Sequence, residues 1–254
     1  MSKLSITRES GRHFLTDRIR DEVDWWHTPQ SRGVAPPPVQ KKPALDETVL
    51  IPLPRKEEWH IPVCDLSDAI ARRESRRRFL PTPLTLDELA FLLWSTQGVR
   101  SRLHESAVLR TVPSAGCRHP FETYLAVMRI ETLSPGIYRY LPLDHALVLE
   151  QICAGLTERL TAATRGQRFA GEAAVTFIWS AIPARSEWRY AEASYKVIAI
   201  DVGHVCQNLY LSCVAIGAGT CAIAAYNQDL VDELIGVDGS EEFSVYLAPV
   251  GKVK

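Results

Sequence analysis

The chain has 254 residues, of which 46% are hydrophobic and 23% are charged, as is ordinary for a globular protein with a substantial core. Its formal net charge is −1, so the composition gives no bias toward nucleic acid. The six cysteines lack metal-ligand spacing and predict reduced, mostly buried thiols in a cytoplasmic protein. The N-terminal sequence MSKLSITRESGRHFL has no apolar stretch of signal-peptide length, so nothing predicts secretion.

Residues 1–62 differ from the rest of the chain because they are polar and rich in proline. Such a segment cannot bury enough apolar surface to form a core alone. Trp25, Trp26 and Trp59 nevertheless predict contacts, since large aromatic side chains usually find a surface to cover. We therefore expect an arm over residues 1–62 that wraps the body or a partner subunit, with a short helix near residues 16–26.

The remainder, residues 63–254, predicts a folded domain. Asp65 begins a helix that continues into the sequence RRESRRRF, and the capping box of Thr85 and Glu88 begins a second helix that ends at Gly98. A polar loop is expected from there to Thr111. Further helices are predicted at 151–163 and 229–235, and strands at 123–130, 136–140, 146–149, 173–180 and 243–250. This order favours an α+β fold, a sheet with helices on both faces.

Residues 188–220 contain no proline and are apolar on nearly every side from Val197 onward. We expect one helix of about thirty residues at the centre of a soluble core, buried on all sides and packed against its own copy across a two-fold axis. A membrane span is the alternative, but Asp201 would cost about 2.5–3.5 kcal/mol at its centre. Asp201, His204 and Asn208 would form one polar stripe along this helix.

Five arginines lie within residues 72–78. Arg73, Ser75 and Arg77 alternate, so in an extended segment their side chains point the same way. Two guanidinium groups that flank a hydroxyl suit a phosphate, because each can form paired hydrogen bonds with it. A solvated basic turn and a nucleic-acid-binding patch are the alternatives.

Residues 113–116, with the sequence PSAG, form a loop whose backbone N–H groups can approach a ligand, with Ser114 as a side-chain donor. Cys117 and His119 do not make a nucleophilic pair, and the histidines lack ligand spacing, so no metal site is predicted. Tyr190 at the start of the long helix can donate or relay a proton in a cavity, although packing at the helix entrance is the alternative. The glycine-rich dinucleotide signature is absent.

Taken in order, several motifs resemble the FMN-dependent nitroreductase superfamily, and within it the SagB-type dehydrogenases, relatives of the thiazole/oxazole-forming peptide oxidases. These motifs are RxSxR, LTLDELAFLLWSTQG, RTVPSAGCRHPFETY, PGIYRY, WRYAEASYKVIAIDVGHVCQNLYL and a last strand ending in GK. The resemblance covers the chain from about Leu53 to the C-terminus. It implies a central antiparallel sheet between helices, and an intertwined homodimer with two FMN sites at the interface.

The resemblance also implies roles for individual residues. The FMN phosphate and ribityl chain would be held by Arg73, Ser75, Arg77 and Lys252. The isoalloxazine would be lined, from the second subunit, by Pro113, Ser114, Ala115 and Gly116. The segment that passes the flavin, with the Ala224 N–H facing N5, would be Ala222, Ile223, Ala224 and Ala225. Azoline oxidases of the family carry a Lys-Tyr pair where this chain has Arg189 and Tyr190, the candidate catalytic residues, and an arginine cannot act as a lysine base would.

These expectations predict a homodimeric FMN-dependent oxidoreductase that transfers a hydride through flavin N5 on a small organic or peptide-derived substrate, with NADH or NADPH as candidate electron donor. One alternative is an azoline peptide dehydrogenase, acting on thiazolines or oxazolines, that uses oxygen as acceptor. Another is a non-catalytic phosphate or nucleic-acid binding protein that uses residues 72–78. The third is a family member that dimerises without flavin and acts as a partner or scaffold. Neither nucleic acid nor a membrane is expected as a partner.

Overall fold

A computed structural model describes residues 7–44 and 49–254. The helices within these residues are α1 (Arg8–Leu15), α2 (Ile19–Glu22), α3 (Leu66–Arg72), α4 (Leu86–Gln97), α5 (Leu156–Ala163), α6 (Phe169–Glu172), α7 (Ala184–Tyr190), α8 (Ser194–Ala215) and α9 (Gln228–Ile235). The strands are β1 (Leu50–Pro52), β2 (Val99–His104), β3 (Ala107–Arg110), β4 (Phe121–Val127), β5 (Gly136–Leu141), β6 (Ala146–Gln151), β7 (Val175–Ala181), β8 (Ala218–Thr220) and β9 (Phe243–Lys252).

The main sheet has the spatial order β1-β6-β5-β4-β7-β9-β8, and each neighbouring pair is antiparallel. Along β7, Phe177 and Trp179 belong to one hydrophobic core, and Ile178 between them belongs to the other. The first core includes α4 and α8, and the second includes α5 and α9. Every residue of β4 and β7 is buried, because helices cover both faces of the sheet. The predicted α+β architecture is therefore confirmed.

The segment predicted as one long helix is instead two helices. The chain leaves the helical region at Ala191, where φ is 44° and ψ is −130°, and a 3₁₀ turn at Ala191–Ala193 precedes α8, which has 22 residues. Within one chain α8 is not buried on all sides, since Ile200 is 48% exposed and Gly203 faces open space; burial of the rest by a second copy stays a prediction. Residues 184–215 are together long and apolar enough for a membrane span, but a helix of a soluble core meets the same criterion.

Two further predictions need correction, one of a loop and one of where a helix ends. The polar segment after Gly98 is the hairpin of β2 and β3; most of β2 is exposed, so it lacks the apolar alternation that would have predicted a strand. The first helix of the domain ends at Arg72, and the arginine-rich sequence that follows is extended. The capping box of Thr85 and Glu88 is confirmed, as is Asp65, which accepts hydrogen bonds from the first turn of α3.

The described part of the N-terminal segment, residues 7–44, lies against the body of its own chain. The short helix predicted near residues 16–26 is α2, and α1 before it was not predicted. The Arg110 guanidinium donates to the Val39 carbonyl at 2.8 Å. The Lys41 ammonium donates to Glu242 at 2.6 Å, and the Trp188 indole donates to the Val34 carbonyl at 2.7 Å. These contacts attach the segment to the sheet and to α7.

Candidate functional site

The arginine segment, defined here as residues 73–77, lies beside β8. Ser75 forms a parallel bridge with Thr220, and the Arg76 N–H donates to the Thr220 carbonyl at 2.9 Å. This pairing makes the segment extended, a conformation in which alternate side chains lie on one side. The Arg77 guanidinium lies 5.9 Å from the centre of the Phe169 ring on α6. The Arg73 guanidinium lies 5.5 Å from the centre of the Tyr210 ring on α8, within range of a cation–π contact.

Tyr210 connects the arginine segment to residues 222–225. Its hydroxyl lies 3.1 Å from Ser75 Oγ and accepts a hydrogen bond from the Ala222 N–H at 2.9 Å. Two segments about 145 residues apart in sequence are thereby held together by one side chain on α8. Sequence reasoning missed Tyr210, although a tyrosine within an apolar helix is a group whose hydroxyl needs a partner.

Residues 222–225 leave β8 and pass along the edge of β9. Ile223 is buried and exchanges two backbone hydrogen bonds with Leu247, of 2.7 and 3.2 Å. Ala224 and Ala225, which follow it, are exposed. Because an alanine covers little of its own backbone, this strand-like segment presents main-chain groups to any ligand held beside Tyr210.

Lys252 lies apart from the arginines in this arrangement, and its role at the FMN phosphate stays a prediction. Its ammonium group pairs with Glu88 and donates to the Ile216 carbonyl at 2.6 Å. The reason is the register of β8 and β9, which places Lys252 opposite Ala218, just beyond the C-terminal end of α8. Carbonyl groups at that end, together with a carboxylate, attract a cation.

An apolar groove of about 480 Å³ runs along α8 beside Ala224. It is lined by Phe14, Tyr195, Ile198, Ala199, Val202, Gly203, Ala224, Phe243, Val245 and Tyr246. The lining contains no charged side chain, and its volume lies in the range of small-molecule sites. The groove can therefore take a planar, uncharged ring.

Residues 113–116 are held by Asp201 of α8. The Ser114 hydroxyl donates to this carboxylate at 2.6 Å and accepts from the His119 N–H at 2.9 Å, while the Ala115 N–H donates to Asp201 at 3.1 Å. Burial raises the pKa of Asp201, and the hydrogen bond from Ser114 opposes that shift. In this arrangement the Ser114 proton is given to Asp201 and the residue positions the loop, while its role as a donor to a ligand stays a prediction.

Gly116 brings this loop against Arg189 and Tyr190 of α7. Its φ is +58°, and an added Cβ would lie 2.7 Å from Arg189 Cδ and 2.8 Å from the Tyr190 hydroxyl. Cys117, with φ of 55°, and Ala191, with φ of 44°, are also in the left-handed half of backbone space. Strained backbone on both sides of one contact is typical of functional sites.

The loop around Ser114 and the arginine segment lie on different faces of α8. Asp201, which holds the loop, and Tyr210, which holds the arginine segment, are nine residues apart. At about 100° and 1.5 Å per residue, they lie on opposite sides of the helix and about 13 Å apart along its axis. Within one chain the two groups of candidate residues are therefore separated by α8.

Replacing Tyr210 with phenylalanine is expected to weaken FMN binding about fivefold to tenfold, because Ser75 and Ala222 lose their shared hydrogen-bond partner while the ring is kept. Fluorescence titration of the apoprotein with FMN measures the effect. Tyr138→Phe is the matched control, since the Tyr138 hydroxyl donates to the Ser134 carbonyl at 2.8 Å, away from the arginine segment and the groove. Equal affinities for all three proteins would show that Tyr210 has no part in the site.

His119 gives a prediction about pH. Burial, reinforced by Arg110, lowers its pKa to about 3, while the unfolded chain takes up the proton near pH 6.5. The stability that this group contributes is complete above pH 6.5 and is lost as the pH falls, by about 1.5 kcal/mol between pH 6.5 and pH 5. His119→Asn suits the φ of 44° at this position and should make the free energy of unfolding less sensitive to pH in urea titrations. If the free energy of unfolding depends on pH equally in the variant and the wild type, His119 is not the group that loses stability as the pH falls.

Comparison with known proteins adds an independent finding. Residues 70–252 match the model of the Nitroreductase family. A Methanocaldococcus jannaschii protein assigned to the nitroreductases, MJ1384, is 30% identical over 208 residues, which are 82% of this chain and 98% of that protein. The trifolitoxin-processing protein TfxB of Rhizobium leguminosarum bv. trifolii is 28% identical over 171 residues, 63% of this chain and 45% of TfxB. A crystal structure of a Ralstonia eutropha JMP134 protein, also assigned to the nitroreductases, has a TM-score of 0.67 and 25% identity over 87% of this chain and 99% of that chain.

Proposed function

Since the chain belongs to the Nitroreductase family, we propose that it is an FMN-dependent oxidoreductase that moves two electrons as a hydride. Proteins of this family generally bind FMN and take electrons from NADH or NADPH. The observation that carries the proposal is the position of Tyr210, which joins the arginine segment to residues 222–225 beside an apolar groove.

The residues present fit a flavin mononucleotide. Within the described residues, neither Arg73 nor Arg77 forms an ion pair, so both guanidinium groups are available for a phosphate. The Thr220 hydroxyl, next to Ser75 across the β-bridge, is buried and lacks a hydrogen-bond partner among those residues. An apolar groove is lined in part by Ala224, and a planar ring requires an apolar surface of this kind. We therefore assign the phosphate to Arg73, Ser75 and Arg77, and the ring to the side of Ala224.

A bound FMN supplies two-electron chemistry at N5, and the protein supplies binding, orientation and electrostatics. The arginine segment would bind the phosphate, and the backbone of residues 222–225 would contact the ring. The walls of the groove exclude water and so strengthen the electrostatic interactions within it. Tyr190 can hold or deliver a proton, whereas Arg189 contributes a fixed positive charge because a guanidinium does not deprotonate.

We further propose that the active protein is a homodimer in which the loop at residues 113–116, with Arg189 and Tyr190, completes the site of the partner. The placement of Asp201 and Tyr210 on opposite sides of α8 supports this, because it separates the two groups of candidate residues within one chain. Ile200, which is 48% exposed and does not line the groove, leaves part of α8 free for a second copy. Proteins with this fold are typically dimers.

A second candidate function is the oxidation of a modified peptide, with oxygen as the electron acceptor. Similarity to TfxB, a trifolitoxin-processing protein, favours it. Arg189 argues against azoline oxidation by a lysine base, because the chain has no lysine at that position. The six cysteines are unpaired and four are buried, which supports a reducing compartment such as the cytoplasm for either function.

Anaerobic mixing of the FMN-loaded protein with NADH or NADPH separates the two candidates. Rapid bleaching of the flavin absorption supports a nicotinamide-dependent reductase of small organic compounds. A flavin that neither nucleotide reduces, but that oxygen reoxidises after chemical reduction, supports the peptide dehydrogenase. Protein that takes up no FMN refutes both.

A further inference from the structure

The N-terminal helix α1 forms one wall of the apolar groove. Phe14 lines the groove opposite residues of α8 and β9, and it is the only contribution from the N-terminal segment among the described residues that line it. Its neighbour Leu15 is 69% exposed and does not line the groove. Phe14 therefore faces a cavity that the rest of its helix does not reach.

The segment that carries Phe14 is attached at the junction of α7 and α8. The Asp17 carboxylate lies 3.8 Å from the Lys196 ammonium of α8. The Arg20 guanidinium lies 5.9 Å from the centre of the Tyr190 ring, a second contact with the candidate site. Each contact by itself contributes little free energy. Together they place α1 and α2 over the N-terminal end of α8.

The order of side chains along α8 shows which end of the groove Phe14 serves. Tyr210 marks the end near the arginine segment, where the phosphate is assigned. Gly203 and Ala224 line the groove further toward the N-terminus of α8, where the ring is assigned, and Tyr195 lies beyond them. Since Asp17 is attached at Lys196, next to Tyr195, α1 reaches the groove from the end distant from the phosphate.

We propose that Phe14 is a specificity-determining residue that closes the substrate end of the groove and limits the size of the aromatic substrates that it admits. This rests on the proposed function, because it takes the ring beside Ala224 to be the flavin. The walls support the class of substrate: Phe243 and Tyr246 are aromatic, and the Tyr195 hydroxyl is already donated to Glu187. A charged substrate would lose its hydration here without finding a partner.

Equilibrium binding tests this without turnover. Perturbation of the flavin spectrum gives the Kd of 1-nitronaphthalene for wild type, Phe14→Ala, Phe14→Trp and Leu15→Ala, with FMN bound and no nicotinamide present. Phe14→Ala should weaken binding by about tenfold through lost aromatic contact, and Leu15→Ala by less than about twofold. Phe14→Trp, which narrows the groove, should shift preference toward the smaller nitrobenzene. Hydrogen exchange of residues 8–15 should slow when 1-nitronaphthalene binds.

The outcomes distinguish a failure of the role proposed for Phe14 from a failure of the proposed FMN-dependent function. A protein that binds FMN, but whose Kd is the same for wild type and Phe14→Ala and whose α1 exchange is unchanged by ligand, overturns the role of Phe14 alone. If no FMN binds, the Kd is read from quenching of protein fluorescence instead. Dependence on Phe14 would then retain it as a ligand contact and refute the flavoenzyme. Phe14 is 38% exposed, so its substitution should leave the fold intact, as thermal unfolding will check.

Discussion

Replacing Arg73 and Arg77 together with alanine is expected to weaken FMN binding at least a hundredfold while barely changing the affinity for riboflavin. Each guanidinium that bonds a phosphate contributes about 1.5–3 kcal/mol, which is roughly tenfold to a hundredfold in Kd. Riboflavin has no phosphate and keeps its contacts with the groove. Titration of the apoprotein with each flavin, at one fixed salt concentration, measures both affinities.

The matched control is Arg32→Ala with Arg102→Ala, which removes the same charge from exposed positions outside the arginine segment. Neither residue lines the apolar groove or the cavity beside Tyr210 and Thr220, so neither should contact the phosphate. We expect FMN affinity within about threefold of wild type for this control. Equal losses in both pairs, or an equal loss for riboflavin, would mean that the arginines act through general charge and not through a phosphate site.

Replacing Gly116 with alanine is expected to lower kcat/KM by about a hundredfold with little change in FMN affinity. The added methyl group would meet Arg189 and Tyr190 at distances that real Cβ atoms do not tolerate, so the catalytic candidates must move. A displacement of about 1 Å can cost a hundredfold in rate when it disturbs alignment. Steady-state kinetics together with an FMN titration separates alignment from cofactor binding.

Gly166→Ala provides the control for backbone strain. Gly166 has φ of +81°, but open space surrounds the position of its missing Cβ. This variant should lose about 1 kcal/mol of stability, as any alanine in a left-handed position does, and keep its activity. If both variants lose activity equally, the effect of Gly116 comes from destabilisation and the proposed contact with Tyr190 has no catalytic consequence.

Much of the fold could be predicted because its signals are local. Thr85 and Glu88 specify a helix start within four residues, and the continuous apolar run at 173–180 indicates a strand covered on both faces. The break at Ala191 could not be predicted in this way. Its conformation is one that glycine favours, yet the residue is alanine, so only tertiary packing holds it there.

The candidate site could likewise be predicted only where its signals are local in sequence. Alternation alone placed Arg73, Ser75 and Arg77 on one side, because the period of an extended chain is two residues. The partners of Asp201 and Tyr210 could not be foreseen, since Ser114 and Ser75 are 87 and 135 residues away from them in sequence. In the predicted polar stripe on α8, Asp201 holds the loop at residues 113–116, and Asn208 donates to the Ser95 carbonyl of α4 at 2.8 Å. The assignment of residues 1–62 as a separate arm stays a prediction.

The most direct test of the central claim is the flavin content of the purified protein. After loading with FMN and removal of the excess, denaturation releases the bound flavin for identification by chromatography. We expect a yellow protein that retains one FMN for each chain. The double variant Arg73→Ala with Arg77→Ala should lose its flavin during removal of the excess. A colourless protein that retains no FMN, with the fold intact, would contradict it.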